Sequence, residues 1–262
     1  MLKVCVVVAS RANYGRVKYL MKAIEESSEL ELQLVVGASL LIERFGKAVD
    51  VIKGDGFTPN KSIYYNVEGE NLITQAKSTG LGVIELSTAF SELQPDFVVS
   101  VADRYETMAT AIASTYMNIP LIHIQGGEVS GNIDDRVRHA ISKLADFHFV
   151  ATEKSRERLI KMGEYPESVF NFGCPAMDVI ANSDTNIDNQ IMARYGGVGH
   201  PIDWSRPYIL MIQHPVTTSF GEGFEQVQNT LDALIEFQDI QKVVLWPNAD
   251  AGGEDVAKGI RV

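Results

Sequence analysis

HIQGGEVSGNIDDRVRHAISKLADFH, residues 123 to 148, leaves an apolar strand over 120–124, crosses a glycine pair and enters a helical pattern. Along that path it sets Glu128, Asp134 and Asp135 just ahead of the helix. Carboxylates gathered at the carboxyl end of a parallel strand and the amino end of the next helix lie where α/β proteins hold ligands. The composition does not suit a simple phosphate cradle, which relies on backbone N–H groups with little competing negative charge. It suits a site that moves protons on a ligand whose anionic part is held elsewhere.

The same alternation extends in both directions. Strand patterns are expected at 2–9, 31–38, 62–67, 96–101, 120–125, 147–152 and 169–173. Their near-continuous valine and isoleucine content predicts strands buried on both faces of a parallel sheet. Helical patterns at 14–27, 71–93, 106–117, 134–145 and 153–162 fill the gaps, so the class is α/β with a doubly wound sheet. Between 182 and 207 the periodicity breaks into SDTNIDNQ, GGVGHP and DWSRP, which reads as a linker. The expected division is an N-terminal domain at 1–182, a linker at 183–206 and a second α/β domain at 207–262. That second part shows strands at 208–213 and 242–246 around one helix at 225–237, then the loop PNADAGGED. Two strands and one helix do not cover both faces of a parallel sheet, so the second domain is expected to be incomplete.

Bulk composition mostly excludes. The chain has 262 residues, 45% of them hydrophobic and 22% charged, which is ordinary for a globular protein. Its formal net charge of −11 repels polyanions, so neither nucleic acid nor an acidic membrane surface is an expected partner. No apolar run approaches the roughly 20 residues that span a bilayer. The N-terminal MLKVCVVVAS lacks a small-residue cleavage site and reads as a first buried strand. The two cysteines, Cys5 and Cys174, read as reduced thiols of a cytoplasmic protein.

Several polar residues stand at predicted strand ends, each with a plain and a chemical reading. Arg11, in SRANYGR at 10–16, is either a bidentate donor to a phosphate at a helix N-terminus or an arginine in solvent. Asp103 either caps the following helix or orients and deprotonates a sugar centre, with Arg104 neutralising a phosphate. Asp134 and Asp135 can each cap the helix after them, which leaves one carboxylate over. Arg138 and His139 lie one turn on, and a local ion-paired helix end is the plainer account of all four. Glu128, on a tight glycine turn, has no evident packing role. His123 lies inside an apolar strand and reads as a satisfied core histidine. His214 ends the strand YILMIQ ahead of Thr217 and Thr218, and Asn248 and Asp250 follow the next strand at the same edge. There is no GxGxxG, no zinc spacing and no Ser–His–Asp order, so no metal and no other cofactor is expected.

In chain order, SRANY at 10–14, ADR at 102–104, HIQGGEVSGNIDD at 123–135, RHAISKLA at 138–145, GCPAMD at 173–178, HPVTT at 214–218 and PNADAG at 247–252 resemble the hydrolysing UDP-N-acetylglucosamine 2-epimerase family. The resemblance runs over essentially the whole chain, and GGEVSG followed by IDD and RHAISKLA carries its specificity. It implies a GT-B-like fold of two Rossmann-like doubly wound parallel-sheet domains, the second incomplete here. It implies elimination of UDP across C1–C2 to an acetamidoglucal, then addition of water to give N-acetylmannosamine for sialic or related nonulosonic acid synthesis. By matching positions, Arg11, Arg104, His214 and Asn248 hold the UDP, with Asn13 and Asp250 as further substrate-binding candidates. Asp103 and Asp134 carry proton transfer, and Gln125, Glu128 and His214 complete the candidate catalytic set.

Three positions depart from the family pattern. Gln125 stands where a catalytic glutamate is usual and cannot accept a proton, so that duty moves to Glu128 or is lost. Leu40 stands where a histidine is common, and Asn13 replaces an aspartate. These departures keep open another UDP- or GDP-linked diacetamido sugar, a GT-B glycosyltransferase, or an inactive nucleotide-sugar-binding fragment. The expected partners are a nucleotide-sugar substrate and further copies of the chain, a dimer or tetramer at full length. Because the family's second domain continues further, the 262-residue chain itself is expected to turn over little.

Overall fold

The computed structural model describes residues 1–186, 197–248 and 250–261. Part of the predicted linker, 187–196, with Ala249 of the last loop and Val262, lies outside the described residues. The chain divides into two compact units, Met1–Ala181 and Asn182–Val262.

The valine-rich segments of the first unit form β1 (Leu2–Val8), β2 (Leu30–Gly37), β3 (Lys61–Ile63), β4 (Phe97–Val101), β5 (Leu121–Ile124), β6 (Phe147–Val150) and β7 (Val169–Asn171). They make one sheet in the order β3-β2-β1-β4-β5-β6-β7, with every neighbouring pair parallel. The helices are α1 (Arg11–Glu26), α2 (Val49–Gly54), α3 (Leu72–Leu93), α4 (Tyr105–Tyr116), α5 (Ile133–Leu144), α6 (Glu153–Lys161) and α7 (Ala176–Ala181).

Residues of β1 alternate between two cores. Val4, Val6 and Val8 pack with Val17 and Met21 of α1, while Cys5 and Val7 pack with Leu86 and Phe90 of α3 and Ile141 of α5. Both sheet faces are therefore covered, which is why these strands read as unbroken apolar runs. Sheet growth reverses direction between β1 and β4, and the crevice at such a reversal is the usual ligand position in an open parallel sheet.

β2 and β5 each stop one residue short of their expected ends, while β4 ends at Val101 as expected. Ala38, Ala102 and Gln125 follow β2, β4 and β5 at φ 50°, 64° and 61°, in the left-handed region. Side-chain-bearing residues there are strained, and such strain gathers at functional sites. The expected strand at 62–67 shrinks to Lys61–Ile63. Leu40 is buried in the first core rather than presented at the sheet edge.

The second unit holds β8 (Tyr208–Ile212) and β9 (Gln241–Leu245), which are parallel, with α8 (Gly223–Ile235) and α9 (Gly253–Arg261). The sequence reading expected one helix here, and α9 corrects it. Its glycine-rich start reads as loop, yet Glu254 and Asp255 at its first turn and Lys258 and Arg261 at its last complement the helix dipole. Met211, Val227 and Val256 form the buried core, flanked by Leu231, Leu234, Val244 and Ile260. Gly259 lets the two helices approach, since a Cβ there would lie 2.2 Å from Val227 Cγ1. Tyr208, Leu210, Ile212 and Leu245 are all exposed, so the other sheet face is left uncovered by the described residues.

Candidate active site

The turns after β1, β4 and β5 lie at or beside the reversal point. After β1, Ser10 caps α1 by accepting the Asn13 N–H at 3.2 Å. Asn13 is 1% exposed; its Oδ1 accepts the Ala9 N–H at 3.4 Å and its Nδ2 has no partner. Arg11 is the first residue of α1, exposed, and makes no ion pair among the described residues. It is a cation at a helix N-terminus, a position that favours a ligand anion.

After β4, Asp103 is not the helix cap: Arg104 occupies that position without a side-chain capping bond. The Asp103 carboxylate instead receives Arg138 Nη2 on its Oδ2. The same guanidinium donates through Nη1 to Asp135 Oδ1 at 2.6 Å and to the Glu128 carbonyl at 2.9 Å. Burial works against the Arg138 charge, but the carboxylates of Asp103 and Asp135 more than restore it. Arg138 is 4% exposed and its Nε has no partner.

Neither aspartate of the helix start is the cap either. Asn132 takes that role, accepting the Asp134 N–H at 3.0 Å. Asp135 instead gathers the preceding turn, accepting Ser130 N at 2.7 Å, Ser130 Oγ at 2.9 Å and Gly131 N at 2.8 Å. Partial burial opposes ionisation of Asp135, yet these donors and Arg138 hold it well below the usual carboxylate range. Asp134 sits half-buried in the first turn of α5. The Glu128 side chain is half-buried on the turn that Arg138 grips by its backbone.

Arg104 is committed to its neighbour. Its Nε and Nη2 donate to Glu106 at 3.1 and 3.2 Å, and Glu106 is fully buried in the first turn of α4. Gln125 is 5% exposed, its Nε2 3.1 Å from Cys174 Sγ and its Oε1 without a partner. His123 Nε2 lies 2.7 Å from the Ala102 carbonyl, which can only accept, so Nε2 carries the proton and Nδ1 faces Ser142 Oγ at 3.0 Å. Burial lowers its pKa to about 3, which keeps it neutral. It is a core histidine that locks the strained Ala102.

In the second unit, His214 and Asn248 meet directly, the Asn248 N–H donating to His214 Nδ1 at 3.2 Å. Asn248 Nδ2 donates to Asp250 Oδ2, and Asp250 N returns to Asn248 Oδ1 at 3.3 Å. The loops after β8 and β9 thus present an imidazole, an amide and a carboxylate together. In the first unit the structure gathers Asp103, Glu128 and the start of α5 through Arg138; Arg11 and Asn13 stand on the neighbouring turn.

Glu106, Cys174 and the central place of Arg138 escaped the sequence reading. Arg138 was visible only as a local ion-pair partner, because its reach to Asp103 crosses 35 residues. Among the described residues no group of His, Cys, Asp and Glu side chains could hold a metal ion, and no helix is long and apolar enough to cross a membrane.

The family model for UDP-N-acetylglucosamine 2-epimerase matches residues 22–261. A Legionella pneumophila protein named UDP-N,N′-diacetylbacillosamine 2-epimerase (hydrolyzing) is 35% identical over 99% of this chain and 67% of its own length. The Campylobacter jejuni GDP/UDP-N,N′-diacetylbacillosamine 2-epimerase (hydrolyzing) is 31% identical over 96% of this chain and 64% of its own. The chain thus spans about two thirds of the length of these relatives. Among solved structures, UDP-GlcNAc 2-epimerase from Neisseria meningitidis bound to UDP-GlcNAc has the same fold. Its TM-score is 0.78 at 17% identity, over 99% of this chain and 70% of that one.

Proposed function

The chain belongs to the UDP-N-acetylglucosamine 2-epimerase family, and from that membership we propose that it works as a hydrolysing 2-epimerase on a UDP-linked 2-acetamido sugar. The observation that carries this reading is Asp103, held at the reversal point of the sheet with Oδ2 on Arg138 while Oδ1 makes no hydrogen bond among the described residues. Asp103 removes the C2 proton; the C1–O bond breaks and UDP leaves with its electron pair, giving the 2-acetamidoglucal. Water then adds, its hydroxyl to C1 and a proton to C2 from the opposite face, yielding the free C2-epimer.

The Gln125 amide is neither an acid nor a base near neutral pH, so Glu128 and Asp134 serve the addition of water. Charge grows on the leaving diphosphate in the transition state, where a cation contributes most. Arg11 meets it at the N-terminus of α1. Arg104, bonded to the buried Glu106, sets a fixed positive charge at the edge of the site. His214, Asn248 and Asp250 hold the nucleotide.

The names of the relatives at 35% and 31% identity favour a second reading of the sugar, with acetamido groups at both C2 and C4. Incubation in heavy water with UDP-N-acetylglucosamine and with UDP-N,N′-diacetylbacillosamine, followed by NMR, separates the two. The expected product is free 2-epimer deuterated at C2, with UDP released, from one sugar in preference to the other. Asp103→Asn lowers that turnover about 10²- to 10⁴-fold, the range for loss of a general base. UDP release with sugar transferred to an acceptor and no deuterium at C2 would mark a glycosyltransferase instead.

A further inference from the structure

We infer that Arg138 is a positioning residue of this site, the group that ties Asp103 to the Glu128 turn in one working geometry; the inference rests on the 2-epimerase reading above. Its guanidinium ties three elements together: Asp103 from the turn after β4, the Glu128 carbonyl from the turn after β5, and Asp135 on its own helix α5. Asp135 in turn collects Ser130 and Gly131, so the stretch between Glu128 and Asn132 is tied to Arg138 at both ends, while Arg158 holds the preceding Gly127 carbonyl.

Neutralising charge does not explain the arrangement. One guanidinium faces two carboxylates, and its third bond goes to a neutral backbone carbonyl. Placement does explain it. Arg138 takes Asp103 Oδ2 and leaves Oδ1 for a substrate proton. Its second terminal nitrogen grips the Glu128 backbone carbonyl, and the Glu128 carboxylate makes no hydrogen bond or ion pair among the described residues. A planar fork of donors is needed to serve three acceptors from one point, and a lysine ammonium on its single flexible stem does not reproduce it. Proton abstraction from carbon is sensitive to such placement, because an error of about 1 Å at the reacting groups lowers the rate on the order of 10²-fold.

The test compares Arg138→Gln and Arg138→Lys with the parent protein, each checked for folding by circular dichroism. For Arg138→Gln, kcat is expected to fall about 10²-fold, while KM and the calorimetric Kd for UDP stay within about threefold. Arg138→Lys keeps the charge and recovers less than about a tenth of the lost rate. In both variants, amide hydrogen exchange over residues 126–132 is expected to speed up about tenfold, a readout independent of turnover. A parental kcat in folded Arg138→Gln, full rescue by lysine, UDP affinity falling in step with kcat, or unchanged exchange at 126–132 would each overturn the inference. A parent protein that releases no UDP from either sugar would instead defeat the functional reading, with the exchange result still deciding whether Arg138 holds the turn.

Discussion

Gly127 stands at φ 76°, and a Cβ there would lie 2.5 Å from the Ser155 carbonyl oxygen. Gly126 is confined differently: its Cβ would meet Ser142 Oγ at 2.8 Å and His123 Nδ1 at 2.9 Å. The glycine pair therefore lets the Glu128 turn lie flat on α5 and α6. Gly127→Ala combines strained backbone with a backbone clash and is expected to destabilise by about 3 kcal/mol, measurable by urea unfolding. His123 beside the pair links stability to pH. Its folded pKa of about 3 lies below its ordinary 6.5, so the unfolded chain takes up a proton first as pH falls. The stability it contributes is complete above 6.5 and drains away toward 3, about 2 kcal/mol of it between pH 7 and pH 5. His148 is also pushed down by burial, against the pull of Glu164, and adds to the loss with the same sign. Asp135 acts only below its ordinary 3.8, outside that window. His123→Gln is expected to be less stable at pH 7 but to lose about 2 kcal/mol less on acidification to pH 5; an unchanged slope would exclude His123 as the titrating group.

Helix α5 is capped by Asn132, whose side chain accepts the Asp134 N–H, so neither following aspartate serves as the cap. Asn132→Ala is expected to cost about 1 kcal/mol in urea unfolding and Asn132→Asp very little, since aspartate caps as well. That start also marks what a linear reading reaches. The order of strands and helices was legible because buried parallel strands need unbroken apolar runs, as in β1, β2 and β4. The ends of β2 and β5 were missed by one residue, because Ala38 and Gln125 take left-handed backbone that no alanine or glutamine announces, whereas the end of β4 at Val101 was legible. Helix α7 is six residues long, too short for a periodic signal, and α9 hid behind its glycines. Motif spacing placed Asp103, Glu128 and the acidic start of α5 near one another. It did not show that Arg138 joins them or that Glu106 absorbs Arg104, since each depends on folded geometry: a contact across 35 residues and a fully buried carboxylate.

The two units differ in how completely they cover their sheets, and that difference is measurable. The first buries both faces of seven strands; the second leaves Tyr208, Leu210, Ile212 and Leu245 exposed on one face of two. Little apolar area leaves water when the second unit folds, and small cores are marginal. The chain's two tryptophans, Trp204 and Trp246, both belong to the second unit, so tryptophan fluorescence follows it alone while far-UV circular dichroism follows mostly the first. In urea the fluorescence transition is expected at lower denaturant than the dichroism transition, and coincident curves would show the units unfolding as one. UDP separates the roles further. If His214, Asn248 and Asp250 hold the nucleotide, saturating UDP raises the fluorescence midpoint, by about 2.7 kcal/mol of stabilisation at a hundredfold excess over Kd. A midpoint that stays fixed while calorimetry still detects UDP binding would place the nucleotide on the first unit, with Arg11 as its principal cation.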